Sequence, residues 1–438
     1  MRPWFGPLVR RLHFYAGLFI GPFILVAALS GVVYAVTPTI ENAVYEHELT
    51  APAYDRVADA RPLAEQLDAA DDSLTSAGYE LSAVRPAPEP GSTTRIMYTH
   101  PDLRESETHA VFVDPTSLEV RGAETVYGTS GALPLRTAVS QFHRHLGLGD
   151  VGRLYSEMAA SWLWLVALGG LALWLLGRRR SSPAKTKSGH GKLSRLHGTV
   201  GVWVLLGALF LSATGLTWSA YAGANVSDLR STLGWTTPTV STSLEDSGTT
   251  SPARPPGGPI PKETTGERLD AVWASAKSEN IDTDLVEIKP GGDASSAWTV
   301  TEIQRSFPTK VDAIAIDPAT LQAVDRADFA DYSVPAKLAR WGVDLHMGAL
   351  FGMANQVALA VLGLAVATLV VLGYSMWFKR GPGRAPRALG LVRAPWWGLL
   401  LVLGVAAGIG LFLPLLGLSL AAFVVVDGVV AALTSRTR

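Results

Sequence analysis

Four of the nine histidines stand in stretches of sequence that occur twice, and imidazole is the commonest metal ligand in proteins. His13 closes the tripeptide Arg11-Leu12-His13, which returns as Arg195-Leu196-His197, while His143 and His346 each stand a few residues before an apolar run. The chain has no cysteine, which excludes iron–sulfur clusters, thiolate-bound haem or zinc, thiol catalysis and disulfides. Any metal must then rest on His, Met, Asp, Glu or Tyr. Two imidazoles from two helices, with no carboxylate at matching spacing, make a poor hydrolytic zinc site but a natural axial set for six-coordinate b-type haem. His13 with His197 is one candidate pair and His143 with His346 the other, giving two haems b. Arg11 and Arg195 suit haem propionates, although the excess of positive charge in cytoplasmic loops already explains them. His145, which has no duplicate, and Met347, beside His346, are secondary ligand candidates.

The elements that must position these residues are membrane helices. With 48% hydrophobic and 17% charged residues, the 438-residue chain is too apolar for an ordinary soluble enzyme. Six stretches are read as spans: Leu12 to Val36, Ser156 to Leu176, Leu196 to Tyr221, Gly352 to Phe378, Trp396 to Leu413 and Leu415 to Leu433. Arg2, Arg10 and Arg11, then the basic loops at 178–194 and 379–395, mark the cytoplasmic side. Both termini are therefore expected inside, and the two long acidic loops outside. Asp427 is an acid within the last span and hence a proton-relay candidate.

Two offsets relate the halves. At a shift of 184, Gly17 falls on Gly201, Ser30 on Thr214 and Gly31 on Gly215; at 203, Asp114-Pro115 falls on Asp317-Pro318, His143 on His346 and Gly170 on Gly373. Each half is one span, one loop module and one span. The modules predict a helix near 63–77 and strands near 94–98 and 110–113, repeated as a helix near 268–278 and strands near 297–301 and 311–316. In both, an apolar strand runs into Asp-Pro, where Asp114 and Asp317 are expected to shape a turn rather than catalyse. The repeated glycines are read as sites of close helix or macrocycle approach. His47, His100, His109 and His190 are read as solvated loop residues.

The fold class is thus an α-helical integral membrane protein with six spans, a duplicated span–module–span repeat, a C-terminal hairpin and two small α+β modules. Its divisions are a first span (1–37), a first module (38–142), a second span with its histidine motif (143–177), a basic loop (178–194) and a third span (195–221). There follow a second module (222–345) containing a Ser/Thr/Pro/Gly-rich linker (236–265), a fourth span (346–378), a second basic loop (379–395) and a two-span hairpin (396–438).

Arg11-Leu12-His13, the run Phe142-His143-Arg144-His145-Leu146-Gly147-Leu148-Gly149-Asp150-Val151-Gly152-Arg153, Arg195-Leu196-His197, and Leu345-His346-Met347-Gly348-Ala349-Leu350-Phe351-Gly352 resemble the motifs of the PepSY-associated transmembrane helix family. Val111-Phe112-Val113-Asp114-Pro115 and Ala315-Ile316-Asp317-Pro318 look like the ends of PepSY domains. The similarity covers roughly residues 8–385. It implies a bacterial inner-membrane protein with external PepSY modules, similar to haem-containing reductases that release iron from ferric siderophores. It also implies haem ligation by His13, His143, His197 and His346. No flavin or nicotinamide fingerprint is present, so electrons must arrive from quinol or a cytoplasmic reductase. The expected activity is transmembrane electron transfer to an external ferric chelate. A haem-free anchor whose modules bind or regulate a partner such as a peptidase is the alternative, with a metal transporter behind it.

Overall fold

The computed structural model describes residues 4–52, 60–178, 189–244, 262–279, 281–293, 295–380 and 395–436. The centre of the stretch read as a linker, most of both basic loops and the side chains of His190 and Asp427 lie outside the described residues. The chain divides into two compact units. One comprises Met1–Val36, Val139–Gly234 and Gln356–Arg438; the other comprises Thr37–Ala138 and Trp235–Asn355.

The first unit is helical. It contains α1 (Phe5–Phe19), most of α2 (Gly21–Val44), the end of α5 (Pro134–His145), α6 (Gly149–Arg178), α7 (Gly189–Trp203), α8 (Leu205–Thr217), α9 (Tyr221–Thr232), most of α12 (Gly352–Arg380), α13 (Trp396–Phe412) and α14 (Pro414–Arg436). Among the described residues, α2, residues Gly149–Gly177 and α12 are long and apolar enough to cross a membrane. The pair α7 and α8, bent by 60°, makes a fourth if counted as one span. The stretches Trp396–Phe412 and Pro414–Val426 are apolar but shorter.

The stretch Leu12 to Val36, read as one span, is two helices that meet at Ile20, and Leu196 to Tyr221 breaks in the same way at Val204. Ile20 and Val204 are equivalent at the shift of 184. Their backbones relax toward the bridge region, with φ −95° and ψ −22° at Ile20 and φ −88° and ψ −2° at Val204. Each break leaves a short arm, α1 or α7, that carries His13 or His197. The unit packs through Ala16, Ile20, Ile24, Trp162, Leu216 and Leu416. It is also tied by Trp162 Nε1 donating to Ser419 Oγ at 2.9 Å and Ser212 Oγ donating to the Ala160 carbonyl at 2.6 Å.

The second unit is one antiparallel sheet of eight strands ordered β4-β3-β2-β1-β5-β6-β7-β8. The first half gives β1 (Glu80–Arg85), β2 (Thr94–Thr99), β3 (Glu107–Val113) and β4 (Val120–Tyr127); the second gives β5 (Val286–Lys289), β6 (Trp298–Glu302), β7 (Ala313–Ile316) and β8 (Ala323–Ala327). The halves join where β1 pairs with β5 at Val84 and Ile288. Period-2 alternation sends Val84, Ile96, Val111, Ile288, Val300 and Ile314 to one face, against Leu63 and Leu67 of α4 (Leu63–Ser73) and Leu269 and Val272 of α10 (Lys262–Glu279). Asp270 of α10 accepts from the Leu63 and Ala64 amides at 2.9 and 3.2 Å, satisfying two open donors at the start of α4. The opposite face in the first half buries Ala83, Met97, Ala110 and Phe112 beneath Tyr45 and Leu49.

The Asp-Pro turns are built alike. Asp114 Oδ1 accepts from the Thr116 amide and hydroxyl, each at 2.8 Å, and Asp317 Oδ1 accepts from the Ala319 amide at 2.9 Å. Leu118 and Leu321 then take φ of +64° and +60° at the same place. Of the stretch read as a linker, Ser241 and Leu244 are bonded to Asp325 and the Ser295 carbonyl, and residues 262–265 already belong to α10.

Candidate functional site

The structure brings His13 and His197 together. Their ring centroids are 6.2 Å apart with planes at 80°. His13 Nδ1 lies 3.0 Å from the Val166 carbonyl of α6. A carbonyl only accepts, so Nδ1 carries the proton and Nε2 of the neutral ring keeps its lone pair, which is the tautomer of a metal ligand. Close approach of α6 depends on Gly170, where an added Cβ would sit 3.1 Å from His13 Cε1. The Leu369 carbonyl of α12, equivalent to Val166 at the shift of 203, is the matching hydrogen-bond partner of His197. Beside His13, between α1 and α6, lies a cavity of about 270 Å³ walled by apolar residues including Phe5, Leu8, Leu12, Leu165 and Ala172, with His13 its only polar side chain among the described residues.

The separation of the rings fits haem; the cavity, which His197 does not line, does not bear on that fit. Two metal–imidazole bonds of about 2 Å in line, plus the distance from nitrogen to ring centre on each side, separate two axial rings by about 6 Å. Among the described residues, no group of three or more His, Asp or Glu is gathered to hold a metal.

His143 belongs to the same unit, at the end of α5. Its ring stacks on Tyr34 at 6.2 Å and 8°, and an added Cβ on Gly31 would approach its Cε1 to 3.2 Å. Ser30 Oγ is 2.8 Å from His143 Nδ1 and also 2.8 Å from the Val26 carbonyl. With the Ser30 proton given to that carbonyl, Oγ accepts from Nδ1–H, and His143, like His13, is left with Nε2 as its free lone pair. Tyr155 fixes the backbone there by donating to the His143 carbonyl at 3.0 Å. His145 has a buried Nδ1 without a partner.

The glycine-rich run after these histidines is a reversal into α6. Leu146, Gly147 and Gly149 have φ of +54°, +71° and +58°, and a Cβ on Gly152 would overlap the His145 carbonyl at 1.8 Å.

His346 falls in the second unit, as the last residue of α11 (Val334–His346), whose start is capped by Ser333. Two residues earlier, Asp344 is fully buried, with Arg340 at 2.8 Å and Arg305 at 3.7 Å. Burial pushes the Asp344 carboxyl up against the opposing pull of both guanidiniums. Met347 Sδ accepts from Arg305 Nη1 at 3.4 Å. Arg11 is buried with its guanidinium 5.3 Å over the Tyr15 ring, whereas Arg195 is exposed.

Two other histidines depart from the solvated-loop reading because a nearby ring engages them. His109 lies in β3 and His100 just after β2, both against the Tyr79 ring at 5.0 and 4.6 Å, and burial beside His100 lowers the pKa of His109. His47 is exposed, as read, but lies in the short helix α3 (Glu46–Leu49), and its Nδ1 accepts from Arg121 Nη2 at 3.0 Å.

The sequence reading passed over Glu157, 1% exposed within α6, whose carboxylate accepts from the Tyr221 and Ala222 amides at 3.0 Å each. An acid inside an apolar run was the available signal.

The family described as the PepSY-associated TM region matches residues 10–380 of the chain. No curated protein matches it.

Proposed function

The chain belongs to the family of PepSY-associated TM proteins, and from that premise we propose a haem b electron carrier of the bacterial inner membrane that reduces ferric chelates such as siderophores on the external side. The observation that carries this reading is the 6.2 Å separation of the His13 and His197 rings, with the Val166 carbonyl on His13 Nδ1 and the equivalent Leu369 carbonyl on His197. In this reading the chain crosses six times with both termini inside, and its two modules are external PepSY domains. His13 and His197 hold one haem, and His143 is a ligand of a second. Haem bound by two imidazoles supplies a one-electron iron couple.

The chain's own residues set the conditions for that couple. The Val166 carbonyl and Ser30 hydroxyl fix the ring orientation and raise the basicity of His13 and His143. Apolar side chains of α1 and α6 line the space beside His13. Quinol or a cytoplasmic reductase is the donor.

The experiment is absorption spectroscopy of the detergent-purified chain, oxidised and then reduced. The expected result is a Soret band with sharp reduced α bands of low-spin b haem, lost in part on His13→Ala or His197→Ala. Anaerobic addition of a ferric chelate should restore the oxidised spectrum. A folded, colourless protein that takes up no added haem would overturn the proposal in favour of a haem-free anchor.

A further inference from the structure

The hairpin between β6 and β7 ends in an apolar tip that its own module does not cover. Phe307 at that tip is 61% exposed and Phe351 is 54% exposed, their ring centroids 5.9 Å apart. Met353 beside them is 58% exposed. Large apolar side chains clustered in the open mark a surface made for a partner or a membrane.

The tip is rigidly held. The Phe307 amide donates to the Leu350 carbonyl at 2.8 Å, Gln304 Nε2 donates to the Pro308 carbonyl at 2.8 Å, and Arg305 reaches Asp344 and Met347 of the α11 end. The equivalent hairpin of the first half, between β2 and β3, carries Pro101, Asp102, Arg104 and Glu105 instead. Shared ancestry therefore does not account for the apolar tip.

Sequence continuity identifies the occupant. Phe351 immediately precedes α12, whose 29 residues are long and apolar enough to cross a membrane and end in Lys379 and Arg380. At about 1.5 Å per residue α12 is about 43 Å long, which matches a bilayer of roughly 40–45 Å counted with its headgroup regions. With the basic end at one interface, the first turn of α12 lies at the other. Phe351 is then at headgroup depth, and the Leu350 bond holds Phe307 at the same level. We propose that Phe307 and Phe351 form an interfacial anchor that inserts into the lipid headgroup–acyl boundary and pins the second sheet module against the bilayer. Aromatic and large apolar side chains favour that layer. The anchor requires neither haem nor any redox step, so its fate is separate from the proposed function.

The chain has no cysteine, so single-cysteine variants can be spin-labelled cleanly. Phe307→Cys, Phe351→Cys and, as a module control, Glu105→Cys would be labelled in the full chain and placed in phosphatidylcholine–phosphatidylglycerol nanodiscs holding one copy each. The ratio of oxygen to nickel-chelate accessibility is then read by electron paramagnetic resonance. Labels at 307 and 351 should show a ratio severalfold above that at 105, with a depth near the glycerol level. Water-like ratios at both 307 and 351, equal to the control, would overturn the anchor. Single-copy discs prevent a second chain from covering the tip, and two independent sites guard against one label disturbing the fold.

Discussion

Val84 and Ile288 hold equivalent places in the first strand of each half of the sheet, and they pair with each other. Beside them Arg85 clamps Glu287 through both Nε and Nη2, at 2.8 and 2.5 Å, and reaches on to the Thr129 and Ser130 carbonyls. Both side chains are nearly buried. Burial alone would raise the Glu287 carboxyl, but Arg85 and Lys289 hold it below the ordinary range. Removing Arg85 leaves the nearly buried Glu287 with Lys289 as its remaining cation, so Arg85→Ala should destabilise the sheet by about 1–3 kcal/mol, with less further loss when Glu287→Ala is added. Denaturant unfolding of the four proteins of that double-mutant cycle provides the check.

Gly169 and Gly170 make a matched pair. A Cβ at Gly170 meets His13 Cε1 at 3.1 Å, while one at Gly169 meets His13 Nδ1 at an ordinary 3.6 Å. Gly170→Ala should displace the ring, lower stability by about 1–3 kcal/mol and shift the haem bands. Gly169→Ala should leave the spectrum near wild type, and equal effects from both would count against ring displacement as the cause.

Ser30→Ala removes the acceptor of His143 Nδ1–H without touching the ring. Loss of such a supporting bond weakens metal binding roughly 10–100-fold, so haem titration should show one of the two sites weakened by that factor. Ser30→Thr keeps the hydroxyl and should restore most of the affinity.

Glu157 holds the first amides of α9. Glu157→Ala leaves the buried Ala222 amide unpaired at about 1–3 kcal/mol, with a smaller loss at the part-buried Tyr221 amide, whereas Glu157→Gln keeps one oxygen and should cost less. Thermal unfolding in detergent would rank the three proteins in that order.

Glu302 gives the sheet module a pH dependence. Burial, together with the nearby Asp282 and Asp312 carboxyls, pushes its pKa from 4.5 up to about 7, against the pull of the Asp282 and Asp312 amides. The folded state therefore holds the proton more tightly than the unfolded chain. The stability this group contributes is complete below about pH 4.5 and is lost as pH rises through about 7. Glu302→Gln, measured by denaturant midpoint from pH 4.5 to 8, should flatten that decline.

The sequence displayed what repetition and local pattern can carry. β2, β3, β6 and β7 were legible because apolar alternation runs into Asp-Pro or faces such a run, and α4 and α10 fall where helices were expected. β5, with four residues, and β4, with mostly half-exposed polar ones, offer too weak a period. The β1–β5 pairing rests on residues about two hundred positions apart, which no local pattern encodes. The histidines stood out through duplication, and Ser30 lay within that signal as the partner of Thr214. The Val166 carbonyl could not be foreseen, since any residue supplies one. Glu157 was readable as an acid among apolar neighbours, but the amides it caps come from α9, a helix in another part of the chain.

The meeting of Val84 with its own counterpart has the form of a self-complementary contact, the kind that identical subunits make across a two-fold axis. A half-length ancestor carrying a single four-stranded sheet would expose the β1 edge and could cover it only with another molecule of the same protein. Gene fusion of such a homodimer would produce this eight-stranded arrangement and would leave each former subunit free to change alone, a freedom in keeping with the apolar Phe307 tip and its polar counterpart at Arg104 and Glu105.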